Sequence, residues 1–96
     1  MKTTVVNLKR DPYDVYIGRE GRGFEGPFGN PYLVAKDSRD RAIEKFSIYF
    51  YTRMEFDPIF REKVLALKGK RLGCFCKPQA CHGDVIAEYL DGLADP

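Results

Sequence analysis

The sequence lacks the features of a disulfide-rich, membrane-spanning or secreted protein. It has 96 residues, no tryptophan, one histidine and only three cysteines. An odd cysteine count in so short a chain argues against a framework of paired disulfides. No apolar run approaches the length of a membrane span, and residues 1–11 lack the apolar core of a signal peptide. We therefore expect a cytoplasmic protein without a membrane partner, whose cysteines are free thiols or bind a metal.

The composition is that of an ordinary folded domain. Hydrophobic residues make up 44% of the chain and charged residues 31%, with a formal net charge of +2. This balance is typical of a globular protein rather than a disordered one, and the length predicts a single domain over residues 1–96. Because the net charge is so small, nucleic-acid binding is a minority alternative.

Periodicity and turn residues predict a small α/β domain. The predicted order is β-β-β-α-α-β-α, with a mixed three- or four-stranded sheet and about three helices. The second strand is expected antiparallel to the first, and the last strand, which follows a helical crossover, parallel to one of the early strands. The predicted strands cover residues 3–8, 14–18, 32–34 and 72–76, and the predicted helices begin near Ser38, Asp57 and His82. Asp37 or Ser38 can cap the first helix, Asp57 is a good N-cap for the second, and Pro58 suits the first helical position. Arg39, on the first helix, is expected to face solvent.

Residues 19–31 form a glycine- and proline-rich loop that is long enough to be functional. Arg19 and Arg22 carry planar guanidinium groups that suit phosphate or carboxylate, and Asn30 can address a base or sugar edge. The alternative is a solvated surface loop whose arginines pair with Glu20 and Glu25. The sequence favours neither interpretation over the other.

All three cysteines and the only histidine fall within nine residues, at Cys74, Cys76, Cys81 and His82. In a strand, Cys74 and Cys76 point to one face, so both thiols can face a single centre, with Cys81 and His82 arriving from the following turn. Three thiolates and one imidazole match a closed zinc site in number and type. The spacing matches less well, because zinc ligands usually come as cysteine pairs two to four residues apart. Cys81 and His82 are also consecutive, so at a helix start their side chains diverge by about 100°.

A second interpretation makes the same stretch a ligand or catalytic site. Cys81 is expected at the N-terminus of the last helix, where backbone N–H groups and the helix dipole stabilise a thiolate. The amide of Gly83 would help to hold an anionic group there. If the site catalyses a reaction, Cys81 is the candidate nucleophile and His82 or Asp84 the candidate acid or base.

The simplest alternative is that the cysteines are small buried hydrophobic residues and His82 makes only a local hydrogen bond. This interpretation suits Cys74, which is predicted inside a strand. It suits Cys81 and His82 less well, because they fall at a turn where burial is not expected.

The motifs of the sequence resemble those of the domain-of-unknown-function family numbered 4326, found in phages and bacteria. The most specific part is Cys-x-Cys-x-Pro-x-x-Cys-His-Gly-Asp, present here over residues 74–84. Many relatives have Trp-Gly-Asn-Pro-Phe where this chain has Phe28-Gly29-Asn30-Pro31-Tyr32, an exchange of one aromatic residue for another. The resemblance spans nearly the whole chain and implies a phage-associated domain in the host cytoplasm. It implies no activity.

These observations predict a site for a small anionic, nucleotide-like ligand at Cys81, His82 and Gly83, closed by Arg19, Arg22 and Asn30. A reaction at a glycosidic or phosphate bond is the activity to test, and Arg19→Ala should weaken binding without much loss of thermal stability. The alternative is a zinc-stabilised protein-interaction or nucleic-acid-binding module without catalysis, with zinc on Cys74, Cys76, Cys81 and His82.

Overall fold

The computed structural model describes residues 2–19, 21, 23, 25–32 and 38–93. Six elements follow in chain order: β1 (Thr4–Asn7), β2 (Val15–Tyr16), α1 (Arg39–Phe56), α2 (Pro58–Leu65), β3 (Arg71–Cys74) and α3 (His82–Asp91). The predicted α/β class, with three helices and this order of elements, is confirmed. The additional strand predicted at residues 32–34 lies, for Leu33 and Val34, outside the described residues.

The sheet has three strands in the order β1-β3-β2, and β3 pairs in parallel with both neighbours. In the register, Val5 and Val15 both lie opposite Leu72. The expectation of a mixed sheet with β1 and β2 antiparallel was therefore wrong for the described strands. Alternation of apolar and polar residues reports which face of a strand is buried, but it does not report strand direction or partner. Here β3 lies between the two early strands.

The core forms where α1 and α3 meet the sheet. Buried positions on α1 recur every four residues at Ala42, Phe46, Phe50 and Met54, as expected for one helical face. The rings of Phe46 and Phe50 stack with their centroids 5.8 Å apart. Each fully buried side chain of this size stabilises the fold by about 1.5–3 kcal/mol relative to exposure. The same face of α1 packs against α3, where Phe46 meets His82 and Phe50 meets Tyr89.

Side-chain caps set the helix starts where the sequence predicts them. The Ser38 hydroxyl accepts a hydrogen bond from the Arg41 N–H at 3.2 Å, and the Asp57 carboxylate accepts one from the Phe60 N–H at 3.0 Å. Pro58 occupies the first turn of α2. Gly69 has a positive φ of 78° and ends the turn after α2, because the left-handed region suits glycine. Among the described residues, no helix is long and apolar enough to cross a membrane.

Candidate functional site

The site lies at the junction between β3 and α3. The parallel register places Asn7 of β1 beside Cys74, the last residue of β3. The Asn7 amide nitrogen donates a hydrogen bond to the Lys77 carbonyl oxygen at 2.7 Å, and the Gln79 N–H donates to the Cys76 carbonyl oxygen at 2.9 Å. These two bonds hold the turn that carries the chain from β3 back to α3. The cysteines before and after the turn are thereby brought together.

Three sulfur atoms converge at this junction. The Sγ atoms of Cys74, Cys76 and Cys81 all lie within 4.8 Å of one another, and those of Cys74 and Cys81 are 3.1 Å apart. Cys74 and Cys81 are each 1% exposed, whereas Cys76 is half-buried. All three are free thiols. The prediction that Cys74 and Cys76 face one centre, joined by Cys81 from the turn, agrees with this geometry.

The three thiols are not equivalent as acids. Hydrogen bonds from Cys74 and Cys81, and a weaker contribution from Arg39, lower the pKa of Cys76 far below its ordinary value. The hydrogen bond to Cys76 raises the pKa of Cys74, and those to Cys74 and Cys76 raise the pKa of Cys81. Cys76 is therefore the most acidic thiol of the group.

His82 lies beside the sulfur group but is held by other contacts. Its Nε2 atom is 2.7 Å from the Ile17 carbonyl oxygen, and because a carbonyl only accepts, Nε2 carries the proton. Its Nδ1 atom is 3.5 Å from the Cys81 Sγ. Burial lowers the pKa of His82, so the ring is neutral and Nδ1 is an acceptor. The imidazole does not belong to the group of ligand atoms within 4.8 Å.

The N-terminus of α3 is capped by its own side chains. The Gly83 N–H donates to the Cys81 Sγ at 3.4 Å, and the Cys81 N–H donates to the Asp84 carboxylate at 3.1 Å. Asp84 also binds the Lys77 Nζ at 2.6 Å. Gly83 is buried against the sheet, where an added Cβ would lie 2.4 Å from the Ile17 Cδ1. The helix start is therefore packed against Ile17 and Val5, and the Gly83 N–H is engaged by the Cys81 Sγ.

A pocket of about 230 Å³ opens in front of the sulfur group. Its described lining includes all three cysteines, His82 and the polar residues Tyr16, Arg19, Asn30 and Arg39. Ile43, Phe75 and Ala80 supply apolar walls. None of the described lining residues is a carboxylate, and Gly83 and Asp84 are not among them. The pocket is thus cationic, partly aromatic and open to the thiols.

Arg39 lines the pocket, although helical periodicity assigns it to the outward face of α1. It was expected to face solvent, but it is half-buried, it donates to the Ala80 carbonyl oxygen at 3.1 Å and it lies beside Cys76. Arg39 is the first residue of α1, so its direction depends on how α1 packs beside the turn after β3. Helical periodicity does not contain that information. A basic residue beside a predicted N-cap was the only signal available.

The loop residues predicted to bind a ligand have structural hydrogen bonds. The Arg19 guanidinium donates to the carbonyl oxygens of Asn30 and Tyr32, each at 2.7 Å. The Asn30 side chain donates to the Ala42 carbonyl oxygen at 3.2 Å and accepts from the Tyr32 N–H at 2.9 Å. Both residues line the pocket while they tie the loop to α1. Arg22, the third predicted loop ligand, lies outside the described residues.

Comparison with known proteins agrees with the motifs. The family described as domain of unknown function DUF4326 matches residues 2–92. A protein of Enterobacteria phage T4, described as an uncharacterized 12.4 kDa protein in the nrdA-td intergenic region, is 42% identical over 91 residues. The match covers 93% of this chain and 78% of the phage protein. No solved structure matches the chain.

Proposed function

This chain belongs to the domain-of-unknown-function family DUF4326, and from that premise we propose that it is a zinc-binding domain whose ligands are Cys74, Cys76 and Cys81. The observation that supports the proposal best is the convergence of the three sulfur atoms within 4.8 Å. Zinc is a borderline-soft cation that binds thiolates in tetrahedral sites. The three cysteines lie close enough together to hold a metal ion.

The distances suit a zinc ion after small side-chain rotations. A Zn–S bond is about 2.3 Å, so two thiolates of a tetrahedral site lie about 3.8 Å apart. The sulfurs of Cys74 and Cys81 are 3.1 Å apart, and none of the three separations exceeds 4.8 Å. The Arg39 guanidinium beside Cys76 would offset the negative charge that three thiolates leave on a divalent ion.

Burial as plain hydrophobic residues explains less of the arrangement. It accounts for the low exposure of Cys74 and Cys81. It does not account for the half-buried Cys76, whose sulfur meets the other two at the end of a turn. A metal gives all three thiols one physical reason to converge.

The decisive measurement is the metal content of protein purified without a metal-affinity column, taken together with a thiol titration. We expect one zinc per chain and three thiols protected from reagent until a chelator is added. Cys76→Ser should lose most of the metal because it removes one of three thiolate ligands. Lys77→Gln is the matched control: it breaks the ion pair with Asp84 in the same turn but removes no ligand.

Metal-free protein with three titratable thiols would refute the zinc site. Equal metal loss in Cys76→Ser and Lys77→Gln would also count against it, because the loss would then follow the local fold rather than the ligand.

A second candidate function is the binding of a small anionic, nucleotide-like ligand in the pocket. Support comes from the guanidinium groups of Arg39 and Arg19 in its lining, with Tyr16 and Phe75 available to contact a base. The proposal moves the ligand away from Gly83 and Asp84, which are not among the described lining residues of the pocket. Turnover at a glycosidic or phosphate bond, and salt-dependent nucleic-acid binding, stay predictions for hydrolysis and gel-shift assays.

A thermal-shift panel of mononucleotides tests the second candidate. Arg39→Gln should weaken binding by about tenfold or more, because it removes a charged hydrogen-bond donor from the pocket. Arg41→Gln, on an exposed position of the same helix turn, should bind like the wild type. No shift with any mononucleotide, or equal effects of the two variants, would reject this ligand class.

A further inference from the structure

We infer that the fourth coordination position of the proposed zinc site is taken by an anionic oxygen of a small phosphate monoester bound in the pocket, and not by His82. The inference rests on the proposed function, since it needs the metal. It makes the zinc site a ligand-binding site rather than a structural one, because a zinc ion with four protein ligands is structural, whereas one with three is open to substrate.

His82 is held in an arrangement that does not complete the site. Its Nε2 donates to the Ile17 carbonyl oxygen at 2.7 Å, and its ring packs edge-on against Phe46 with centroids 5.0 Å apart. The side chain is only 7% exposed. Its Nδ1 lies 3.5 Å from the Cys81 Sγ, but the imidazole is not within 4.8 Å of all three sulfurs, so the ring as it stands does not complete the site.

The pocket approaches the sulfur group directly. Cys74, Cys76 and Cys81 all line it, so an ion bound to them faces the pocket rather than the protein interior. Displacement of a metal-bound water by the ligand breaks one metal–oxygen bond and forms another, with no transfer of electrons.

The charges of the lining favour an anion. Three thiolates and a divalent cation carry one net negative charge, and Arg19 and Arg39 together carry two positive charges. The described lining contains no carboxylate to offset the remaining positive charge. An anionic group at the metal, beside Arg39, supplies that charge.

The aromatic and apolar lining of the pocket favours an anion that carries an organic group. The rings of Tyr16 and Phe75 lie edge to face with centroids 6.2 Å apart, and Ile43 faces the same pocket. Phe75 is 39% exposed, so its ring offers apolar surface to a ligand. Aromatic surfaces of this kind contact the flat faces of bases. A mononucleotide carries both the anionic oxygen and the flat body.

The test uses full-length protein in which cobalt replaces zinc, because cobalt reports its ligands in the visible spectrum. The probes are adenosine monophosphate, inorganic phosphate and uncharged adenosine. We expect adenosine monophosphate to shift the ligand-field bands saturably while the thiolate-to-cobalt charge-transfer band keeps its intensity. Adenosine alone should leave the bands unchanged. A response to inorganic phosphate as well assigns the interaction to the anionic group, and a response to the nucleotide alone adds a role for the base; both support the inference.

Arginine variants test whether the anionic group binds beside Arg39. Arg39→Gln should raise the nucleotide concentration for the half-maximal shift by about tenfold or more, and Arg41→Gln should not change it. His82→Gln should keep the cobalt spectrum of the wild type.

His82→Gln removes a buried side chain, so loss of the spectrum in this variant can reflect misfolding. A second readout therefore uses the wild-type protein. The chain has a single histidine, so the imidazole nitrogen signals of cadmium-loaded wild-type protein are unambiguous. We expect no metal–nitrogen coupling. Coupling between the metal and Nδ1 would overturn the inference while the zinc site stands, and so would ligand-field bands that none of the three probes changes. Absence of the thiolate charge-transfer band overturns the zinc site itself.

Discussion

At the scale of single residues, several predicted site residues make hydrogen bonds that hold the local structure. Arg19 and Asn30 line the pocket, but their polar atoms bind backbone carbonyls and an N–H of the loop and α1. Asp84 is engaged by Lys77 and by the Cys81 N–H. Side-chain chemistry predicts what a residue is able to bind, but its neighbours in the fold decide what it does bind. Arg39, by contrast, was expected outside and lies beside Cys76.

Arg19→Ala tests this structural role. The variant removes two hydrogen bonds from a charged donor to the carbonyl oxygens of Asn30 and Tyr32. We expect a loss of about 1–2 kcal/mol in the free energy of unfolding, reduced by the exposure of Arg19, measured by urea denaturation. This reverses the expectation that the substitution would leave stability nearly unchanged.

Arg10→Ala is the matched control, since Arg10 is an exposed arginine on a turn away from the pocket. A loss no larger than that of the control would mean that the hydrogen bonds of Arg19 contribute nothing net.

At the scale of elements, the close approach of α3 to the sheet positions the cysteines. Gly83 lies against Ile17 and Val5, where an added Cβ would be 2.4 Å and 3.1 Å from their side-chain atoms. Glycine at this position lets the first turn of α3 approach β1 and the end of β2. Cys81, which caps the helix, is thereby brought to the sulfur of Cys74 at the end of β3.

Gly83→Ala should therefore destabilise the domain by about 1–3 kcal/mol, because Ile17 is fully buried and its end carbon has little space to move. The same substitution should weaken metal retention by displacing Cys81. Thermal unfolding and metal content measure the two effects. Gly92→Ala is the control: Gly92 has a φ of −77°, and its nearest new contact is 3.3 Å away. Equal stability of the two variants would show that α3 accommodates the added methyl group without loss of stability.

At the scale of the whole molecule, the proposed metal joins two elements separated by a turn. The core draws on all three helices and on β3, and domains of this size are marginally stable. A ligand that binds only the folded state stabilises it by about 2.7 kcal/mol at a hundred times its dissociation constant. A zinc ion at Cys74, Cys76 and Cys81 would therefore be a large part of the total stability.

Chelation should accordingly lower the melting temperature of the wild type by about 10 °C or more. Adding zinc back should restore it. The Cys76→Ser variant, already deficient in metal, should melt at the same temperature with and without chelator. If chelation leaves the wild-type melting temperature unchanged in protein shown to contain zinc, the metal does not stabilise the fold.

The sequence by itself determined the α/β class, the order of the elements, the cap at Asp57 and the location of the reactive residues around the last helix start. Local rules suffice for these, because caps, periodicity and turn residues act over a few positions. Only the tertiary structure decided that β3 lies between β1 and β2, that the three sulfurs without the imidazole lie within 4.8 Å of one another, that Gly83 is buried and that Arg39 lines the pocket. Those depend on contacts between distant segments, which local patterns do not encode.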